Sequence, residues 1–139
     1  MKKTISLLIF LFFITTSCKN NDNGPMIEEA GSANYFILNN SSSEIRVEFT
    51  TSTELGSEKI AFGVIRQGDR KEIFKDGIIG QNPRPTSSFS EITFVLGDSS
   101  GETTYVYSPI IDEDWRITFE DFSSGNYGTR FYEYMFSGE

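Results

Sequence analysis

The stretch Glu44-Ile45-Arg46-Val47-Glu48-Phe49-Thr50 alternates polar and apolar side chains over seven residues. Successive side chains of a strand point to opposite faces, so Ile45, Val47 and Phe49 share one face. Glu44, Arg46, Glu48 and Thr50 share the other. This period of two predicts a half-buried strand with the apolar face inward and Arg46 and Glu48 exposed. The rest of the chain can be read against it.

Two further segments repeat the pattern. Trp115, Ile117 and Phe119 alternate with Arg116, Thr118 and Glu120, and Ile92, Phe94 and Leu96 with Glu91, Thr93 and Val95. The first of these faces is expected to be inward, with Trp115 buried and its indole N–H in reach of the acidic run Asp112-Glu113-Asp114. Shorter runs lie at Tyr35–Leu38, Ile60–Ile65, Lys71–Phe74, Thr103–Tyr107 and Thr129–Phe136, which brings the total to about eight strands. In the last run Phe131, Glu133 and Met135 share a face that carries a charge, so Tyr132, Tyr134 and Phe136 are the expected core residues.

Turn chemistry separates these segments. Gln67-Gly68-Asp69, Gly97-Asp98-Ser99-Ser100-Gly101 and Ser123-Ser124-Gly125-Asn126 each read as hairpin connections. Residues 76–90, which hold two of the four prolines, read as a long crossover between sheets. No segment of helical length carries a 3.6 period. The expected fold is therefore all-β, a two-sheet antiparallel sandwich of the immunoglobulin-like or transthyretin-like kind over residues 33–139. A small β-barrel is the alternative.

The amino terminus reads differently. Lys2 and Lys3 precede an apolar run from Ile5 to Ile14, broken only by Ser6. As a helix that run spans roughly 15 Å, half of a bilayer's hydrocarbon core, so it reads as a secretory signal over residues 1–17 and not as a membrane anchor. It ends in Ile14-Thr15-Thr16-Ser17-Cys18, which resembles the lipobox of bacterial lipoproteins, with Thr15 where that box prefers Leu. The resemblance implies that Cys18 is diacylated and becomes the first residue of the mature chain. Lys19 to Gly31 is polar and rich in Asn and Gly, so residues 18–32 read as the lipidated cysteine and a flexible tether. Such a tether reaches roughly 20 Å, and two acyl chains give stable anchoring.

A second resemblance covers residues 33–139. Tyr35-Phe36-Ile37-Leu38-Asn39-Asn40-Ser41-Ser42, the Ser88-Phe89-Ser90 segment and Arg130-Phe131-Tyr132-Glu133-Tyr134 are laid out as in small lipoproteins of the Bacteroidota, flavobacteria in particular. It implies a lipid-anchored cell-envelope location, at the outer membrane, with the periplasmic or surface face left open. It implies no activity.

Composition narrows the chemistry. The chain has 139 residues, with 12 Lys and Arg against 20 Asp and Glu. Lys2 and Lys3 leave with the signal, so the mature chain of 122 residues carries a formal net charge of about −10. Nucleic acid is a poor partner for such a chain, because phosphate binding needs clustered Lys and Arg. Attachment to an anionic lipid surface must come from the acyl chains. With no histidine and one cysteine, Cys18, the chain has no Ser-His-Asp or Cys-His nucleophile system and no histidine metal ligand. It also lacks a glycine-rich phosphate loop, and no cofactor is expected.

Three signals remain. Asp112 and Asp114 are loop oxygen donors of the type calcium accepts, as are Asp98 and Glu102, but neither pair has EF-hand spacing. Tyr105, Tyr107 and Tyr127 are candidate aromatics for contact with a glycan or a protein. Paired carboxylates, Asp112 to Asp114 or Glu120 and Asp121, are the type of residue a glycoside hydrolase uses. The expected function is a non-enzymatic binding or interaction role in the envelope. A carbohydrate-binding accessory lipoprotein is the first alternative and an envelope hydrolase the second. Binding of sugar predicts an exposed aromatic patch, hydrolysis predicts two carboxylates across a cleft, and protein interaction predicts a flat apolar patch or a bare sheet edge.

Overall fold

A computed structural model describes residues 29–98, 101–122 and 125–138, so Cys18, the signal segment and most of the tether lie outside the described residues. The elements run β1 (Ala30–Asn39), β2 (Ile45–Thr51), β3 (Lys59–Ile65), β4 (Arg70–Ile79), a one-turn helix α1 (Pro85–Ser88), β5 (Phe89–Asp98), β6 (Gly101–Tyr107), β7 (Arg116–Asp121) and β8 (Thr129–Phe136). Single 3-10 turns occupy Thr53–Leu55 and Asp112–Asp114. The strands form two sheets, β4-β1-β8-β7 and β3-β2-β5-β6, stacked as a sandwich. Among the described residues each sheet keeps two unpaired edge strands, and the sheets do not close into the alternative barrel. Here β1 lies in the sheet opposite to β2 and pairs with the last strand, β8.

All neighbouring strands pair antiparallel except β1 and β8, which run parallel from Ser32↔Thr129 to Asn39↔Phe136. A parallel pair needs a crossover connection, and here nearly the whole chain supplies it. The first and last strands thereby become the centre of the first sheet.

The period-two reading of β2 holds on its apolar face, where Ile45, Val47 and Phe49 are 0%, 1% and 2% exposed. They pair across to Leu96, Phe94 and Ile92 of β5. Glu48 departs from the expectation. It is half-buried and bonded to Lys59 of β3 at 2.9 Å, because the neighbouring strand's lysine folds over it. Opposite, β1 points Ala33, Tyr35 and Ile37 inward. Aromatic rings fill much of the interior: Tyr35 meets Phe89 edge-on at 4.8 Å, and Phe94 stacks on Phe136 at 4.4 Å. Each fully buried Phe or Ile contributes roughly 1.5–3 kcal/mol by leaving water.

Several boundaries move. β1 begins at Ala30, so the first residues of the sheet come from the segment read as tether. Gly31 donates its N–H to Gln81 at 3.0 Å, and a Cβ there would stand 2.3 Å from the same carbonyl oxygen, so only glycine permits the approach. Residues 76–79 extend β4, and β5 starts at Phe89, which reduces the crossover to 80–88. Gln67-Gly68-Asp69 does not close a hairpin. It carries the chain from β3 in one sheet to β4 in the other, stitched by Gly68 N–H to Asn39 O at 2.7 Å and Asn39 N–H to Asp69 O at 3.0 Å. The Gly97–Gly101 segment does join a pair, β5 to β6, and 122–128 joins β7 to β8.

β7 departs from the inward reading: Ile117 stays on the inner face but is 45% exposed on this edge strand, and Phe119, 46% exposed, leaves that face. Ile117 pairs with Tyr132, but Phe119 pairs with Phe131, so Thr118 is an extra residue in a bulge. The bulge breaks the alternation and moves Phe119 to the outer face, opposite to Ile117. Trp115, one residue before β7, is buried as expected, at 4%.

Candidate functional site: an aromatic sheet face and a marginal cleft

The residues singled out from sequence are dispersed. Cys18 lies outside the described residues. Asp112 and Asp114 do not converge on a cation. Asp112 Oδ1 accepts the Thr86 N–H at 2.9 Å, whereas Asp114 Oδ2 accepts the Tyr107 hydroxyl at 2.9 Å. Among the described residues no group of three or more acid, Cys or His side chains is placed to hold a metal. Glu102 is drawn to Arg46 at 2.8 Å instead.

Tyr105 and Tyr107 lie on β6 opposite Phe94 and Ile92, so both rings turn toward the core. Tyr105 donates to Gly138 O at 2.8 Å, and Tyr107 stacks on Tyr134 at 4.7 Å, closing the margin between the two sheets. Burial, reinforced by Asp114, pushes the Tyr107 phenol up to about 12, against the Ile111 N–H bond that lowers it. Tyr127 sits in the connection between β7 and β8, half-buried and on the other sheet. The three tyrosines therefore make no common surface.

Trp115 also departs from one expectation. Its Nε1 is buried and has no hydrogen-bond partner among the described residues, so no carboxylate of the 112–114 run receives it. The ring instead stacks on Phe89 at 5.8 Å and meets Tyr35 edge-on.

The outer face of the first sheet carries an arrangement the sequence did not announce. Glu133 was read as the charge that marks the solvent side of β8, and it does point outward, yet it is 5% exposed. Arg70 of β4 reaches over β1 to bond Glu133 Oε2 at 2.6 Å, and Arg116 of β7 bonds Oε1. Burial raises the Glu133 carboxyl, but the two guanidinium groups outweigh it and hold the group below its ordinary range. Arg70 also lies 3.5 Å from the centre of the Phe36 ring, a cation–π contact. Phe131 packs between Phe36 at 5.5 Å and Phe119 at 4.8 Å, with Met135 exposed further along β8. The result is an aromatic surface beside a paired carboxylate, and the two guanidinium groups leave that cluster with one net positive charge.

A second feature opens at the margin of the sandwich. A cleft of about 320 Å³ is lined by Trp115, Ile117 and Tyr132, by Arg84 and Arg130, and by Asp112 and Glu113. Arg130 bonds Glu120 at 2.6 Å, and Tyr132 and Glu120 raise its pKa against the pull of burial. Arg84, ahead of α1, makes no ion pair among the described residues. The crossover and β8 bring these two arginines together from positions 46 residues apart in the chain.

A serine and an aspartate do meet, but inside. Ser88 Oγ donates to Asp76 Oδ2 at 2.6 Å and accepts from the Tyr35 hydroxyl at 2.7 Å. Ser88 is fully buried, so no substrate reaches it, and the trio pins α1 against the first sheet. No protein-family model matches this chain, and no curated protein or solved structure shows similarity to it.

Proposed function

We propose that this chain is a lipid-anchored, non-enzymatic interaction domain of the cell envelope. Cys18 carries the anchor, and a protein partner is held on the outer face of the first sheet. The observation that carries the reading is the aromatic surface of Phe36, Phe119 and Phe131, centred on the Arg70–Glu133–Arg116 cluster. Phe119 and Met135 are exposed on this face, with Phe36 and Phe131 half-buried beside them. Contiguous apolar surface that solvent reaches marks contact sites, and aromatic and arginine side chains dominate their energetics. Among the described residues no further strand pairs on the β7 edge beside it, and over 116–120 its exposed residues add main-chain groups a partner can reach. The hydrolase alternative rests on paired carboxylates, and Asp112 and Asp114 are drawn to different partners, the Thr86 N–H and the Tyr107 hydroxyl. The carbohydrate-binding alternative draws its support from the cleft at Trp115 instead of from the tyrosines.

Two measurements test the proposal. A photo-crosslinking residue at Phe119 should give discrete adducts in intact envelopes, whereas one at Val106, exposed on the opposite sheet, should give none. Equal labelling from both positions, or none from Phe119, rejects the surface. For the anchor, Cys18→Ala should move the protein from the membrane fraction to the soluble one. Retention as firm as that of the wild type rejects acylation at Cys18.

A further inference from the structure

The cleft at the sandwich margin lies apart from the aromatic sheet face and has a chemistry of its own. Its volume, about 320 Å³, is at the small end of ligand pockets, suited to one sugar ring and not to an acyl chain or a folded segment. Its floor is aromatic, and its rim carries both cations and anions. Arg84 is the one of its two arginines without an ion pair among the described residues, so its guanidinium fork is open to a carboxylate. Asp112 and Glu113 can only accept hydrogen bonds when ionised, which suits hydroxyl groups. Trp115 lines the same cleft, and its N–H is buried without an acceptor among the described residues. Buried donors without a partner are uncommon, because leaving one unmade is costly.

We propose that this cleft binds a sugar acid, its carboxylate taken by Arg84 and its hydroxyls by the acidic rim. A neutral sugar leaves the Arg84 fork unused. A purely apolar ligand strands the charges of both rims. A simple carboxylate lacks the hydroxyls that Asp112 and Glu113 accept.

Trp115 is the single tryptophan and lines the cleft, so its emission is read without interference from another indole. The full chain, purified in detergent, is titrated with galacturonate, galactose and acetate as separate probes. Galacturonate should change the emission saturably, at least about tenfold more tightly than either of the other two, a difference of 1.4 kcal/mol. Arg84→Gln should abolish that preference while leaving the thermal unfolding midpoint in place, because the side chain is exposed. Equal responses to galactose and galacturonate overturn the carboxylate assignment. A response to acetate as tight as that to galacturonate overturns the sugar assignment. Silence at tens of millimolar galacturonate, or an Arg84→Gln protein that binds as wild type, overturns the site.

Discussion

The Tyr35 hydroxyl donates a 2.7 Å hydrogen bond to Ser88, 53 residues away in sequence, with both groups buried. Its direction follows from the next link. Ser88 has one hydroxyl proton and spends it on the Asp76 carboxylate at 2.6 Å, so the phenol must donate. Burial first, with Asp76 adding to it, raises the Tyr35 phenol well above its ordinary value, which keeps that proton in place.

Ser88→Ala should therefore strand two buried partners at once. The expected cost is about 1–3 kcal/mol, seen as a lower urea midpoint with an unchanged slope. Tyr35→Phe removes only the far end of the chain of bonds and should cost less. An unchanged midpoint in Ser88→Ala means that the three groups do not act as a network.

Glu133 predicts an acid-sensitive stability. Its folded pKa lies below the ordinary value of 4.5, so the stabilisation is fully present above that pH. It is lost as the pH falls through the lowered folded value. Glu133→Gln should flatten this acid limb and cost about 1–3 kcal/mol at neutral pH, discounted because Arg116 is largely exposed. Denaturant melts of both proteins from pH 7 to 3 check it, and parallel curves refute it.

Phe49 and Glu48 are neighbours on β2 with opposite roles. Phe49→Ala should cost about 3–5 kcal/mol through lost transfer energy and the cavity left behind. Glu48→Ala breaks a pair with an exposed lysine and should change stability little. Similar losses at both positions in chemical denaturation reject the assignment of faces.

The bulge at Thr118 makes a prediction that simple alternation does not. Trp115→Ala should destabilise by about 3–5 kcal/mol, whereas Ile117→Ala and Phe119→Ala, on exposed side chains, should each cost far less. Thermal unfolding of the three variants separates them. Losses at Ile117 or Phe119 comparable to that at Trp115 place β7 in the core after all.

Tyr107 sets an alkaline limit. Its folded pKa of about 12 exceeds the ordinary 10.0, so the contribution is complete below pH 10 and declines as pH rises toward 12. Asp114→Asn should bring the phenolate absorbance transition down in pH, since the acid's charge and hydrogen bond both hold the proton. A transition at the same pH in the variant assigns the shift to burial alone.

Much of the fold was legible. The alternation in 44–50 identified β2 and its inward face, and the Thr129–Phe136 run matched β8 in extent and in register. These readings worked because a half-buried strand must sort its side chains by solubility every second residue. Reading failed at Gln67-Gly68-Asp69, because a turn's residues report local backbone angles and not the sheet the next strand joins. It failed again at β7, where one inserted residue reverses a face without altering composition. Arg84 gave a faint signal, a lone charge between Pro83 and Pro85, but nothing in the chain paired it with Arg130.

The sequence by itself determined the all-β class, the count of about eight strands, the inward faces of β2 and β8 and the absence of histidine chemistry. Each of these depends on the identity or the near neighbours of a residue. The tertiary structure alone decided the parallel meeting of β1 with β8, the Arg70–Glu133–Arg116 cluster and the cleft at Trp115. Each joins side chains from strands distant in the chain, and Glu133 shows the reason most directly. A carboxylate reads as solvent-facing from its charge, yet two guanidinium groups brought by β4 and β7 satisfy it, so it can lie buried on an outer face.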